Sequence, residues 1–205
     1  LRGMDRIQNT TIDMGCYEWT SGTDPLSECA KPTAGRIIAT NQTICHGSTP
    51  AEITSTSLPS GHTGDLEYQW QLNTVSATAT FDQWEEVGIN TETYDHVGTL
   101  TQTTWFRRLA RVECDPVGWA SATASNVVEV TVEQELTLSC PQPIIVSNDT
   151  GECGASVAFA AIAGGTPTPT LTYLLESEII TSPHKFEIGT HTVVVTAENY
   201  CGSVI

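Results

Sequence analysis

Seven cysteines are the side chains of this sequence best suited to covalent chemistry, and they are spread over the whole chain. No two of them form a C-x-x-C pair, so the spacing excludes a thioredoxin-type redox motif and argues against a structural zinc site. In an acidic, threonine-rich chain, scattered cysteines indicate disulfide bonds and therefore an oxidising compartment. The odd count leaves one thiol without a partner inside the chain. The seven are Cys16, Cys29, Cys45, Cys114, Cys140, Cys153 and Cys201.

Histidines and carboxylates, the other groups that could do chemistry, show no catalytic arrangement. The five histidines fall in or near predicted loops, and no HExxH, GxSxG, GxGxxG or Walker-type motif occurs. Glu85 and Glu86 are consecutive in a predicted strand, so their side chains diverge. We therefore expect no enzyme and no cofactor, with Ca²⁺ held by loop carboxylates as the one ion that the acidic composition allows.

Composition points to an extracellular all-β protein. The chain carries 24 acidic and 8 basic residues, a net charge of −16, which argues against binding nucleic acid or anionic lipid. It has 32 threonines and two lysines, and β-branched threonine favours strands. No run of 18 apolar residues occurs, so we expect no membrane insertion. A length of 205 residues suffices for two domains.

The segment Leu66–Leu72 alternates strictly between apolar and polar residues. Leu66, Tyr68, Trp70 and Leu72 fall on one side of an extended strand, because side chains on a strand repeat every two residues. Further strands are predicted at short intervals, which is typical of a sandwich. These are Gln83–Val87, Glu92–Tyr94, Thr103–Val112 and Ser125–Val132. Arg107 and Arg108 are neighbours on one strand and so face opposite ways, and at least one is expected to pair with an acid on a neighbouring strand, such as Glu85 or Glu86.

Four phrases in this region resemble an immunoglobulin-like repeat found in tandem in large secreted bacterial proteins, such as adhesins and type IX secretion substrates. They are Gln42–Gly47 with Thr49-Pro50, Tyr68–Gln71, Thr103–Arg107 and Ala124–Val132. The resemblance implies an immunoglobulin-like domain over 32–133. It also implies a Cys45–Cys114 disulfide near a core that contains Trp70 and Tyr68.

Residues 1–31 resemble the closing turn of secreted right-handed parallel β-helix proteins. The match consists of Ile12-Asp13-Met14-Gly15 and Tyr17-Glu18, with Cys16 in place of the usual small residue. A plain linker strand is the alternative. Cys16 and Cys29 are close enough in sequence to bridge across the intervening turn, which would stabilise the fold by roughly 3 kcal/mol.

Residues 134–205 resemble the hyalin repeat, an immunoglobulin-like extracellular module. The matching phrases are Cys140-Pro141 with Ile144, Cys153-Gly154-Ala155 and Phe186–Asn199. Since the final strand of that module is missing here, we expect the domain to be incomplete and to be completed from outside residues 1–205. The resemblance implies a Cys153–Cys201 disulfide and leaves Cys140 unpaired or paired externally.

The leading functional hypothesis is a non-catalytic segment of a large bacterial surface protein, acting as stalk, spacer or filament module. Its partners would be neighbouring modules of the same polypeptide or copies of itself. One alternative is a module that binds surface glycans or Ca²⁺, for which Trp84, Trp105 and Trp119 supply candidate aromatic contacts. Another is the accessory tail of a polysaccharide-degrading enzyme with a β-helix.

Overall fold

The computed structural model of the chain describes residues 7–8, 11–12, 30–38, 40–115 and 117–205. The chain is all-β and is built of immunoglobulin-like sandwiches, and the described residues include short 3₁₀ turns at Phe81–Gln83 and Gly118–Ser121. β1 (Ile7–Gln8) and β2 (Thr11–Ile12) form a small antiparallel hairpin. The rest of the predicted β-helix turn, including the expected Cys16–Cys29 disulfide, lies outside the described residues.

The first module has two layers. Its main sheet has the strand order β4–β10–β8–β6–β7, with β9 also pairing with β8, and the other layer contains β3 and β5 with two isolated bridges. The last long strand, β10, lies between β8, to which it is antiparallel, and β4, to which it is parallel. The strands are β3 (Arg36–Ile37), β4 (Gln42–Ile44), β5 (Ser55–Ser57), β6 (Leu66–Asn73), β7 (Glu85–Ile89), β8 (Thr104–Val112), β9 (Thr123–Ala124) and β10 (Val128–Val132).

Alternation along β6 places one apolar face inside the sandwich. Trp70 is completely buried and Tyr68 nearly so. The Trp70 ring stacks on Tyr94 at 5.4 Å between centroids, and its Nε1 donates to the Thr91 carbonyl oxygen at 2.9 Å. This bond matters because a buried indole N–H without a partner is costly. Phe106, Val128 and Val130 complete the core from β8 and β10.

The second module has a four-stranded sheet of order β15–β14–β17–β18 and two separate pairs, β11–β13 and β12–β16. All of these pairings are antiparallel. The strands are β11 (Thr137–Ser139), β12 (Gly154–Val157), β13 (Ile162–Gly164), β14 (Thr170–Leu175), β15 (Glu178–Ile180), β16 (His184–Glu187), β17 (Val193–Asn199) and β18 (Gly202–Val204).

Candidate functional site: the junction between the modules

One disulfide joins the two modules. Cys45 directly follows β4 in the first module, and Cys201 lies in the turn between β17 and β18 of the second. The two residues are bonded with their Cα atoms 5.5 Å apart, although 156 positions separate them in sequence. The bond therefore links the modules covalently beside the backbone connection, because Ile44, the neighbour of Cys45, accepts the N–H of Glu133.

The predicted pairings Cys45–Cys114 and Cys153–Cys201 are both wrong. β4 runs parallel to β10 and therefore antiparallel to β8. Cys45, after the end of β4, and Cys114, after the end of β8, consequently lie at opposite poles of the first module. Cys114 is itself disulfide-bonded, with a partner other than Cys45.

Cys201 is already used by Cys45, so it is not available to Cys153. Cys140 and Cys153 are free thiols, and both are exposed. The expectation that Cys140 pairs externally stays a prediction.

Polar contacts around the connecting segment supplement the disulfide. The N–H of Glu133 donates to the Ile44 carbonyl oxygen at 2.9 Å. The Tyr200 hydroxyl donates to the Glu133 carboxylate at 3.0 Å. Desolvation is the main cause of the raised pKa of Tyr200, and this hydrogen bond adds to it. Gln134, which follows Glu133 in the sequence, donates its backbone N–H to Thr166 Oγ1 at 2.6 Å. The two residues that connect the modules are thus held by β4 on one side and by the second module on the other.

Arg108 connects the two layers of the first module through hydrogen bonds. Arg108 is fully buried and its guanidinium lies over Tyr68, 4.9 Å from the ring centroid. Nη1 donates to Ser55 Oγ and to the Glu92 carbonyl oxygen, the latter at 2.7 Å, so it links β8 to the opposite layer. Burial lowers the pKa of Arg108. Its Nε and Nη2 have no hydrogen-bond partner among the described residues.

Neither arginine pairs with Glu85 or Glu86, which corrects that expectation. Arg107 donates from Nε to Gln71 Oε1 at 2.8 Å. The sequence did carry the signal for Arg108: Phe106, Arg108 and Ala110 alternate along β8, and all three are completely buried. A charged residue is unusual on a core-facing strand, and the sequence analysis, which expected an ion pair for at least one of the two arginines, did not identify Arg108 as buried.

Two of the three candidate tryptophans stack on arginines of the outer sheet face. The Arg107 guanidinium lies 4.1 Å from the centroid of the Trp84 ring, and Trp84 is only 7% exposed. Arg111 lies 4.7 Å from the centroid of Trp119 and pairs with Glu67 at 2.6 Å. These rings therefore pack against the sheet face, which leaves little of Trp84 for a sugar to contact.

The part of the chain that the structure describes carries neither a cluster of metal-ligating side chains nor a helix that could span a membrane. Within it, no group of three or more His, Cys, Asp or Glu side chains is arranged to hold a metal ion. In the same residues no helix has both the length and the apolar character needed to cross a membrane.

Comparison with known proteins gives the following similarities. Residues 33–134 are similar to a family described as "Domain of unknown function (DUF8696)". No curated protein matches the chain. Among solved structures, the four N-terminal immunoglobulin domains of Dscam1 (isoform 4.44) match 85% of this chain and 45% of their own at 14% identity and a TM-score of 0.35. Sidekick-1 immunoglobulin domains 1–4 match 90% and 48% at 14% identity and a TM-score of 0.42.

A chimeric titin Z1Z2 carrying an exogenous decorin peptide matches 86% of this chain and 93% of its own, at 16% identity and a TM-score of 0.29. This chain therefore spans less than half the length of the first two structures and most of the third.

Proposed function

We propose that this chain is a non-catalytic structural segment of an extracellular protein, in which two immunoglobulin-like modules are joined as a stiff spacer. The observation that carries the proposal is the Cys45–Cys201 disulfide. The default expectation for two consecutive domains is relative motion about their linker. A second covalent link beside the linker restricts that freedom, because the two modules are then joined at two points.

A spacer of this kind suits a stalk, filament or adhesin on a bacterial surface, where neighbouring modules or copies of the chain are its partners. An oxidising compartment fits because disulfides persist there and are reduced in the cytosol. The strongly acidic surface supports solubility outside the cell and disfavours nucleic acid as a partner. The segment needs no cofactor for this role.

The test compares the oxidised chain with a Cys45→Ser, Cys201→Ser double variant by small-angle X-ray scattering. We expect the maximum dimension and the spread of the pair-distance distribution to increase in the variant, because the joint then bends about residues 133–134. Circular dichroism serves as the control that both modules stay folded. Identical scattering curves from two folded samples would reject the stiff-spacer proposal.

A single variant at the same joint refines the result. Tyr200→Phe removes the hydrogen bond to Glu133 and leaves the disulfide in place. We expect its scattering curve to match that of the parent chain, because the covalent link dominates. If this variant is flexible at the joint, the polar contacts and not the disulfide account for the stiffness.

A further inference from the structure

The disulfide between the modules shortens the load route, meaning the path of covalent bonds from one end of the chain to the other. Cys45 and Cys201 are 156 positions apart, and strands β5 to β17 lie between them in the sequence. β4 precedes Cys45 directly, and β18 directly follows Cys201. The load route therefore passes from β4 across the disulfide into β18. Any other disulfide could only shorten this route further.

The cores of both modules lie outside the load route. Trp70 and Phe106, two large buried side chains of the first core, are on β6 and β8. Val195 and Ala197, which are buried in the second module, are on β17. All of these positions fall in the loop that the disulfide closes. Tension applied along the polypeptide thus does not pull on the backbone that carries them.

The length of chain removed from the load route is large. An extended chain spans about 3.4 Å per residue, so the 156 positions hold about 530 Å of extendable backbone. Two modules joined only by their linker would release this length as they unfold under tension. With the disulfide closed, the same length is not available, however far the modules unfold.

The hydrogen-bonded ladder that would otherwise carry tension through the first module is short. β4 and β10 are parallel and share three residue pairs, the last of them Ile44 opposite Val132. Pulling the start of β4 away from the end of β10 slides one strand along the other, so these few pairs are lost together. Cys45 directly follows Ile44, so the disulfide lies at the end of the ladder and bears the tension there.

We propose that the Cys45–Cys201 bond makes this chain an inextensible tether, in which tension passes from β4 through the disulfide into β18 and bypasses both folded cores. Inside the first module, tension can then release only the segment that leads up to Cys45, and residues 30–45 hold about 50 Å of backbone. Such a tether transmits force between the segments before and after it without lengthening. Its bond persists in an oxidising compartment, and reduction makes the same chain extensible.

The experiment pulls single molecules of the full chain between handles at the two termini, in oxidising buffer and in dithiothreitol. Both samples carry Cys140→Ser and Cys153→Ser, which removes the two exposed free thiols and their exchange with the disulfide. We expect the fully stretched chain to be longer in dithiothreitol by about 530 Å, because reduction returns the 156 hidden positions to the load route. Equal stretched lengths in the two buffers would overturn the tether.

A matched variant identifies the bond that limits the length. Cys45→Ser and Cys201→Ser are added to the same background, and this variant is pulled in oxidising buffer, where any other disulfide stays closed. We expect its stretched length to exceed that of the oxidised background. The length of a fully stretched chain depends only on its covalent connections, so the test does not require the variant to fold. A length equal to that of the oxidised background would assign the limit to another bond and overturn the proposal.

The tether rests on the same bond as the proposed spacer, but the two proposals fail in different ways. Scattering measures bending of the joint without tension, whereas pulling measures the length of the chain under tension. A joint that bends in the oxidised chain, together with a short stretched length, would reject the stiff spacer and support the tether. A stiff joint in scattering, together with full extension of the oxidised chain under tension, would reject the tether alone.

Discussion

The two modules share a strand arrangement but differ in how completely they bury a core. In the first, the core residues Ile37, Trp70, Phe106, Val128 and Val130 are completely buried. In the second, the buried apolar residues are Ala155, Ala161, Ile180, Val195 and Ala197, three of them alanines. The large side chains of the second module, such as Phe159 and Tyr173, line an open groove instead.

The difference also shows in the residues that supply each core. The first module contributes large side chains, Trp70 and Phe106, together with Val128 and Val130, whereas three of the five buried apolar residues of the second are alanines. Larger buried side chains remove more apolar surface from water, so the first core is expected to contribute more to stability.

The largest effect that tests this comparison is expected in the closed core. Trp70→Ala should lower the free energy of unfolding of the first module by roughly 3–5 kcal/mol, because it removes a buried ring and its stack on Tyr94. Tyr173→Ala, on the corresponding sheet of the second module, should cost less than about 2 kcal/mol because that ring is only partly buried. Chemical denaturation followed separately for each module measures both. Equal losses would contradict the contrast between a closed and an open core.

The next effect concerns the buried arginine that ties the layers of the first module. Arg108→Ala should cost about 2–4 kcal/mol through the cavity it leaves beside Trp70 and Tyr68. Arg108→Met should cost clearly less, because it fills the space and Ser55 Oγ still donates to the Glu92 carbonyl oxygen. Denaturant midpoints of the two variants provide the test. A methionine variant as unstable as the alanine variant would show that the hydrogen bonds of Arg108 outweigh its packing.

A pH effect is expected from His96 of the first module. Partial burial beside Tyr94 and Phe106 lowers the pKa of His96, while Asp95 opposes this less strongly. His96 therefore binds a proton more readily in the unfolded chain than in the folded module. The free energy of unfolding is highest above the unfolded pKa of about 6.5, and it decreases as the pH falls below that value. The melting temperature should decrease between pH 7.5 and pH 5.5, by a few degrees. His96→Gln should flatten this part of the curve; an unchanged slope would assign it to other groups.

The smallest expected losses of stability come from removing one ion pair in each module. Arg111 and Glu67 are 20% and 31% exposed and the guanidinium also stacks on Trp119, whereas Lys185 and Glu152 are 62% and 53% exposed. Glu67→Gln should cost on the order of 0.5–1 kcal/mol, and Glu152→Gln should fall within measurement error, because exposed pairs contribute little. Thermal melts at low and high salt measure the two. A larger loss for Glu152→Gln would invert the comparison.

The sequence by itself determined the fold class and the strands that make the core. Alternation in Leu66–Leu72 predicted a strand that the structure gives as β6, and the further strand predicted at Thr103–Val112 is β8; the threonine content predicted an all-β chain. These signals are local, because the side-chain period of a strand depends only on residues within a few positions of each other. Boundaries were less exact: the segment predicted as Gln83–Val87 begins with a 3₁₀ turn and continues as β7.

The partners of the cysteines and of Arg108 were decided by the tertiary structure alone. Which cysteines meet depends on the poles of the modules at which the strands end, and that follows from strand order. The parallel pairing of β4 with β10 carried Cys45 away from Cys114 and toward Cys201, across a sequence separation of 156 residues. The direction of a strand relative to a distant neighbour leaves no periodic trace in the sequence, so no local pattern could indicate that the disulfide joins the two modules.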